Sequence, residues 1–303
     1  MSSPEGAAGV IAELLKAHAG LDLPVGLRAW DGSEAGPEGP PVLVARTPRA
    51  LRRILWCPGE LGLARAYISG DLDVEGDLTD GLRRVWGAIS QKGAPTRGIT
   101  LTPAAWTEQG GYVRERARGL GLGDRAVVRI QDYRDPVDER YDAIASVEMG
   151  EHVGAAQYPR FCEALYGRLR PGGRLLIQQM FRDARAPGGG PFIESYVAPD
   201  MDMRPVGETV RLIENAGFEV IGVEAMRNHY MRTIQAWLDN FEQNLPAIKE
   251  ILSEEQVRVW RLYLAGGALA FEEGRMGVDQ ILAVRSDPAR SAPARSAPAR
   301  STR

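Results

Sequence analysis

Residues 169–178 read LRPGGRLLIQ, and residues 208–226 read ETVRLIENAGFEVIGVEAM. The first is a Pro-Gly turn running into a strand, and the second is a helix running into another strand. The same alternation continues outward. Before it come GITLT (98–102), a helix over 104–120, AVVRIQD (126–132), YDAIASVE (141–148) and a helix over 155–169. After it come helices from about Met231 to Phe271 and a last strand, VDQILAV (278–284). Strands that alternate with helices predict an α/β fold with a largely parallel sheet, whose ligands sit at the carboxyl ends of the strands.

The 37 Lys+Arg stand against 40 Asp+Glu, a formal charge of −3. There is no global basic field to hold nucleic acid, so an anionic partner must meet a local patch. Cys57 and Cys162 are the only cysteines, too few for a disulfide framework or a zinc site, and no metal is expected. No run of 18 apolar residues occurs, and MSSPEGAAG lacks the order of a signal peptide, so a cytoplasmic protein is expected.

Ahead of the alternating region lies a small α+β unit. It has a helix over GVIAELLKAHA (9–19), strands at VGLRAW (25–30) and PVLVAR (41–46), and a Gly/Pro-rich turn that makes the strands a hairpin. TPRALRRILW (47–56) then has a Thr N-cap, Pro at the first helical position, and Leu51, Ile54 and Leu55 on one face, with Arg49, Arg52 and Arg53 beside it. Two readings of this helix stand: a core-facing helix with solvated arginines, or a helix lying on an anionic membrane. The C-terminal RSDPARSAPARSAPARSTR carries five arginines against one aspartate and nothing apolar larger than alanine, so it reads as a disordered basic tail.

The second half, LRPGGRLLIQ with ETVRLIENAGFEVIGVEAM, resembles a class I S-adenosylmethionine-dependent methyltransferase with a Rossmann-like sheet. PGELGLARAYISGDLDVEGDL (58–78), GITLT, VVRIQDYRD (127–135), YDAIASVEMGEHVG (141–154), PFIESYVAPDMDMRP (191–205), RNHYMRTIQAWLDNFEQN (227–244) and FEEGRMGVDQILAV (271–284) narrow this further. Together they resemble the cyclopropane-fatty-acyl-phospholipid synthase family. MDMRPVGETV and LYLAGGALAFEEGRMGVDQ are similar to its actinobacterial tuberculostearic-acid branch, which methylates the double bond of an oleoyl chain. The resemblance covers about Val42 to Val284. It implies an N-terminal lipid- or membrane-proximal domain over 1–87, a connection at 88–97, a methyltransferase domain over 98–286 and a tail at 287–303.

One departure is large. A member of this family carries a His-Tyr-Asp loop and a first strand ending in a glycine-rich turn before GITLT, and here only GAISQKGAPTR (87–97) stands in that place. The missing strand would lie at the centre of the sheet, between GITLT and YDAIASVE, and without it the sheet has a hole. Either residues are missing between Ala88 and Arg97, or a true deletion leaves a noncatalytic lipid-binding remnant.

The implied chemistry constrains the rest. An alkene is a weak nucleophile, and its attack on a sulfonium methyl leaves a carbocation. A carboxylate about 4 Å away at an effective dielectric near 20 stabilises it by roughly 4 kcal/mol. Glu148 and Glu151 qualify by position at a strand end. The resemblance assigns Glu151 and Tyr230 to holding a bicarbonate ion that acts as base, and it puts Gln178 where cyclopropane synthases of the family use a histidine. It also points to Thr100, Leu101, Gln131, Asp132, Tyr133 and Ser146 as the S-adenosylmethionine-binding positions. Without the resemblance, Glu151 and His152 equally fit a helix cap, and Tyr230 a half-buried core ring. His229 stays open, and Cys162 reads as a core thiol.

The expected function is therefore methyl transfer from S-adenosylmethionine to the double bond of an unsaturated phospholipid acyl chain, giving a methylene branch. A cyclopropane product and the lipid-binding remnant are the alternatives. The implied setting is the inner face of an anionic membrane, with phospholipid as substrate, a reductase to finish a methyl branch, and a homodimer as an allowed assembly.

Overall fold

The computed structural model describes residues 6–19, 22–56, 59–89, 105–129, 131–135, 139–182 and 188–286. In chain order its elements begin with α1 (Gly6–Ala19), β1 (Gly26–Arg28), β2 (Glu34–Ala35), β3 (Val42–Ala45), α2 (Pro48–Trp56), α3 (Glu60–Ile68), β4 (Leu72–Glu75) and α4 (Leu78–Ile89). Then come α5 (Ala105–Gly119), β5 (Tyr141–Val147), a 3₁₀ turn (Gly150–His152), α6 (Tyr158–Arg168), β6 (Leu169–Arg182) and α7 (Pro191–Tyr196). The last are α8 (Val206–Asn215), β7 (Phe218–Ala225), α9 (Arg227–Gln243), α10 (Leu245–Ile251), α11 (Glu254–Glu272) and β8 (Met276–Arg285).

These elements form two compact units. One comprises Met1–Ile99, Gly188–Pro199 and Met226–Gly277, and the other Thr100–Pro187, Asp200–Ala225 and Val278–Arg303. The first thus takes in α7 and α9 to α11, which the sequence boundary at residue 98 assigns to the methyltransferase domain. The connection from residue 90 to 97 and the tail from 287 lie outside the described residues.

The first unit contains a four-stranded sheet in the order β2-β1-β3-β4. The expected hairpin of VGLRAW with PVLVAR is corrected, because β1 and β3 run parallel. The Gly/Pro-rich segment between them contains β2, which folds back antiparallel on β1, so the chain returns to the other edge in the same direction. Gly36 allows the fold-back: its φ is +87°, and a Cβ there would lie 2.7 Å from the Val25 carbonyl oxygen. Beneath α2, Asp71 is 3% exposed. It accepts from Thr47 Oγ1 at 2.7 Å, Ser69 Oγ at 2.9 Å and Arg53 Nε at 3.0 Å, with Arg49 Nε at 3.2 Å. Burial opposes its charge, yet these donors outweigh it and hold the carboxyl down at about 2. Two of the three α2 arginines are therefore tied to the protein's own carboxylate, while Arg52 is exposed and has no ion pair among the described residues.

The second unit holds a sheet in the order β5-β6-β8-β7, with β5 and β6 parallel and β7 and β8 antiparallel. Tyr158, Phe161, Cys162 and Leu165 of α6 and Ile213 of α8 close one core against Leu175 and Ile177 of β6 and Ile281 and Ala283 of β8. The RPGG turn lies within β6 as a bulge: Tyr141 pairs with Leu169, but Ala143 pairs with Arg174. AVVRIQD forms no strand over its described residues, and Val127 is 76% exposed. Strand-forming side chains need a neighbouring strand to pair with. Among the described residues β5 is one of the two edge strands of this sheet, and Asp142, Ala143, Ala145 and Val147 are exposed on it. GITLT lies outside the described residues.

Candidate functional site

The site begins where β5 stops. Glu148 follows Val147 with φ of +50°, the only non-glycine residue at positive φ among the described residues. That conformation costs energy for a residue with a Cβ and persists only where surrounding contacts enforce it. Here the Glu148 N–H donates to the Gln178 carbonyl at 2.9 Å, and the chain then turns sharply into Gly150–His152. The turn directs Glu151 inward, leaving it 1% exposed, while its carbonyl accepts from the Asp202 N–H at 2.7 Å.

Glu151 Oε2 has no hydrogen-bond partner among the described residues. Burial, and then the neighbouring Glu148 carboxyl, push the Glu151 carboxyl up to about 8, against the opposing pull of the main-chain N–H groups of Glu151 and Met180. A carboxyl that keeps its proton at neutral pH is a donor, and beside Glu148 it forms a pair able to pass a proton.

Successive residues of β6, which point to opposite faces, supply the two sides of this turn. Gln178 Nε2 donates to Glu148 Oε1 at 3.2 Å, and Gln178 Oε1 accepts from Gln280 Nε2 of β8 at 2.7 Å. On the other face, buried Gln179 accepts from the Tyr158 hydroxyl at 2.6 Å and donates to Thr209 Oγ1 at 3.3 Å. The Arg204 guanidinium lies 3.8 Å from the centre of the Tyr158 ring, and its Nη2 bonds Asp202 Oδ2 at 3.1 Å. Asp279, next to Gln280, is raised to about 6 by burial, and its Oδ2 has no partner among the described residues.

Of the residues singled out from sequence, Glu148, Glu151 and Gln178 thus come together. Tyr230 belongs to the first unit, on α9, where its ring packs 5.6 Å from that of Phe271. His152 Nδ1 sits 3.0 Å from Asp200 Oδ1, and His229 is exposed on α9. Cys162 is a buried core thiol, pushed up to about 12 by burial.

For the nucleoside end of a methyl donor the fit is partial. Thr100 and Leu101 lie outside the described residues. Ser146 is buried near the carboxyl end of β5 with its Oγ unpartnered among the described residues, which suits a ribose or amino acid polar group. Tyr133 packs edge-on against Phe161 at 5.3 Å, partly buried against the core of the second unit. Gln131 is exposed in the same loop. Asp132 accepts from Arg134 through Nε at 2.9 Å and Nη2 at 2.6 Å, which leaves Oδ2 with capacity for a further donor. Residues 87–97 offer no glycine-rich turn for the methionyl end.

Sequence reasoning passed over Tyr158, Gln179, Arg204, Gln280 and Gly150. The signal for Gln179 was present: the doubled glutamine in LLIQQM puts polar groups on both faces of a buried strand, which demands partners on both. Arg204 lay within MDMRP, where nothing local marked it as buried.

Residues 83–281 match the protein family described as mycolic acid cyclopropane synthetase. A Pseudomonas putida protein named "Probable fatty acid methyltransferase" is 38% identical over 211 residues, 66% of this chain and 52% of that one. The tuberculostearic acid methyltransferase UfaA1 of Mycobacterium tuberculosis is 31% identical over 214 residues, 67% of this chain and 49% of its own. The chain spans about half the length of the curated relatives it matches. Among solved structures, the mycolic acid cyclopropane synthase CmaA1 complexed with SAH and CTAB superposes with a TM-score of 0.51 and 20% identity, covering 58% of this chain and 66% of the other. The fold is that of class I methyltransferases.

Proposed function

Because the chain belongs to the mycolic acid cyclopropane synthetase family, we propose that it methylates the double bond of an unsaturated, oleoyl-type acyl chain in a phospholipid, leaving a methylene branch. The observation that carries this reading is the Glu148–Glu151 pair: a buried carboxyl with one oxygen unsatisfied, beside a second carboxyl, where a parallel strand ends. S-adenosylmethionine, held in part at Ser146 and Tyr133, would supply the methyl group. The carboxyl pair then has two tasks, which are to offset positive charge developing on the acyl chain and to take the proton that leaves. Bicarbonate belongs to the same proposal as the alternative proton acceptor: Glu151 would hold it, and the ion would then take the proton in place of the carboxyl pair.

Gln178 supports the methylene product over a cyclopropane, since an amide donates but does not take up a proton as an imidazole does. The names of the relatives, a fatty acid methyltransferase and a tuberculostearic acid methyltransferase, support the acyl substrate. Among the described residues no helix is long and apolar enough to cross a membrane. We place the reaction at the inner face of an anionic membrane, reached through the basic face of α2, with a reductase downstream and a homodimer as an allowed assembly.

The absent glycine-rich turn favours a second reading, a lipid-binding protein that transfers nothing. One experiment separates them. The enzyme is stabilised by S-adenosylhomocysteine, by about 2.7 kcal/mol at a hundredfold excess over its Kd. It also places a labelled methyl carbon on oleoyl phospholipid, read by mass spectrometry of the released acyl chains. No thermal shift and no label, with lipid still bound, establishes the second reading.

A further inference from the structure

We propose that Gln280 is a positioning residue for the carboxyl pair: by donating to Gln178 Oε1 it fixes which end of the Gln178 amide faces Glu148. A glutamine amide is nearly symmetric in shape, and a half-turn about its last bond exchanges donor and acceptor. At Gln178 that choice decides whether Glu148 meets an N–H donor or a carbonyl oxygen. The 2.7 Å bond from Gln280 Nε2 can be made only to the carbonyl end, which leaves Nε2 directed at Glu148 Oε1, 3.2 Å away. Gln280 is half-buried in mid-β8, opposite Glu224 of β7, so its own position is fixed by the sheet.

The titratable and charged groups around this pair are few enough to name. Tyr158 faces it from α6, with Cys162 and Arg204 beside Tyr158, and Asp202, bonded to Arg204, donates its N–H to the Glu151 carbonyl. Asp279 lies beside Gln280 on β8, and Glu224 is exposed on β7. His152, with Asp200, follows Glu151 in the turn. Gln280 contacts Glu148 only through Gln178, and it has no charge of its own. If it is removed, nothing holds the Gln178 amide in one orientation, and in the turned orientation its carbonyl oxygen meets the Glu148 carboxyl. That contact is tolerated only with a proton between them, so the pair holds its proton more tightly.

The proposal rests on the pair being the reacting group, and its test separates the two. In Gln280→Met, which keeps the length and removes the donor, the carboxyl titration of Glu148 and Glu151, followed by ¹³C NMR, moves upward by about one unit. With oleoyl phospholipid and S-adenosylmethionine, the pH profile of kcat moves the same way while KM holds. Gln280→Glu, which puts an acceptor in place of the donor, moves both further. The native chain gives a check that needs no variant: the Gln178 side-chain amide shows one orientation with slowly exchanging N–H protons. An unmoved titration in folded Gln280→Met, or two exchanging Gln178 orientations in the native chain, overturns the proposal. A moved titration in a chain that methylates no lipid keeps the positioning role and removes the proposed function.

Discussion

The Tyr158 hydroxyl donates to Gln179 Oε1 at 2.6 Å, and together these two buried side chains form the surface on which Gly150 rests. A Cβ at Gly150 would collide with Gln179 Oε1 and come within 3.2 Å of Tyr158 Cε2. Gln179 cannot swing aside without giving up both Tyr158 and Thr209. Gly150→Ala is therefore expected to destabilise the second unit by about 1–3 kcal/mol, measured by urea unfolding. It should also displace Glu151, the next residue, so that lipid methylation falls even where the fold survives.

Glu151→Gln keeps the shape and removes the titration. Turnover on oleoyl phospholipid should fall by at least about a hundredfold, the usual scale for losing a preorganised electrostatic group. Tyr230→Phe should lose less, and Gln178→His should move some product from methylene toward cyclopropane, read by mass spectrometry of the acyl chains.

The same Glu151→Gln variant carries a stability prediction of opposite sign. The folded chain binds the Glu151 proton more tightly than the unfolded chain, from 4.5 up to about 8. Its contribution is therefore whole below pH 4.5 and is lost as pH rises toward 8. Glu151→Gln should flatten that decline and melt above the native chain in alkaline buffer, as expected where a site holds an unfavourable group for function.

Asp71 works in the reverse direction. Its carboxyl is held at about 2 against an ordinary 3.8, so its contribution is present above pH 3.8 and lost as pH falls through 2. Asp71→Asn should cost on the order of 2 kcal/mol at neutral pH, below the figure for a fully enclosed pair because Arg49 and Arg53 are partly solvated. It should also remove that acid limb from the melting profile of the first unit.

The Asp71 network changes how membrane contact should be tested. Replacing Arg49 or Arg53 unpins α2 from Asp71 and disturbs the fold, whereas Arg52 is exposed. Arg52→Ala should weaken binding to anionic vesicles by about 1 kcal/mol, roughly fivefold, and leave thermal unfolding unchanged. Equal binding by this variant would leave α2 as scaffold.

How far the sequence reveals this molecule depends on where its information is local. β6, α8, β7 and β8 are legible because turn residues and apolar periodicity mark each one. AVVRIQD has the composition of a strand, but no neighbouring strand among the described residues pairs with it, and composition alone does not make a strand. The parallel pairing of β1 and β3 depends on the two-residue β2, too short to leave a periodic signal. At the site, Glu148 and Glu151 are visible as acids at a strand end. Gln280 is not, because its importance comes from a bond to Gln178, 102 positions away in the sequence.

Among the described residues no strand pairs with the outer edge of β5, which has a consequence for handling the protein. Along YDAIASV, alternate main-chain N–H groups turn toward β6 and the others turn away from it. Hydrogen exchange along this strand should therefore alternate between slow and fast amides, residue by residue. Asp142, paired with Arg170 at 2.7 Å, is the only charged side chain on the strand, too little to repel another extended chain. Concentrated solutions should accordingly lose monomer over time, with the fast amides of β5 the first to become protected.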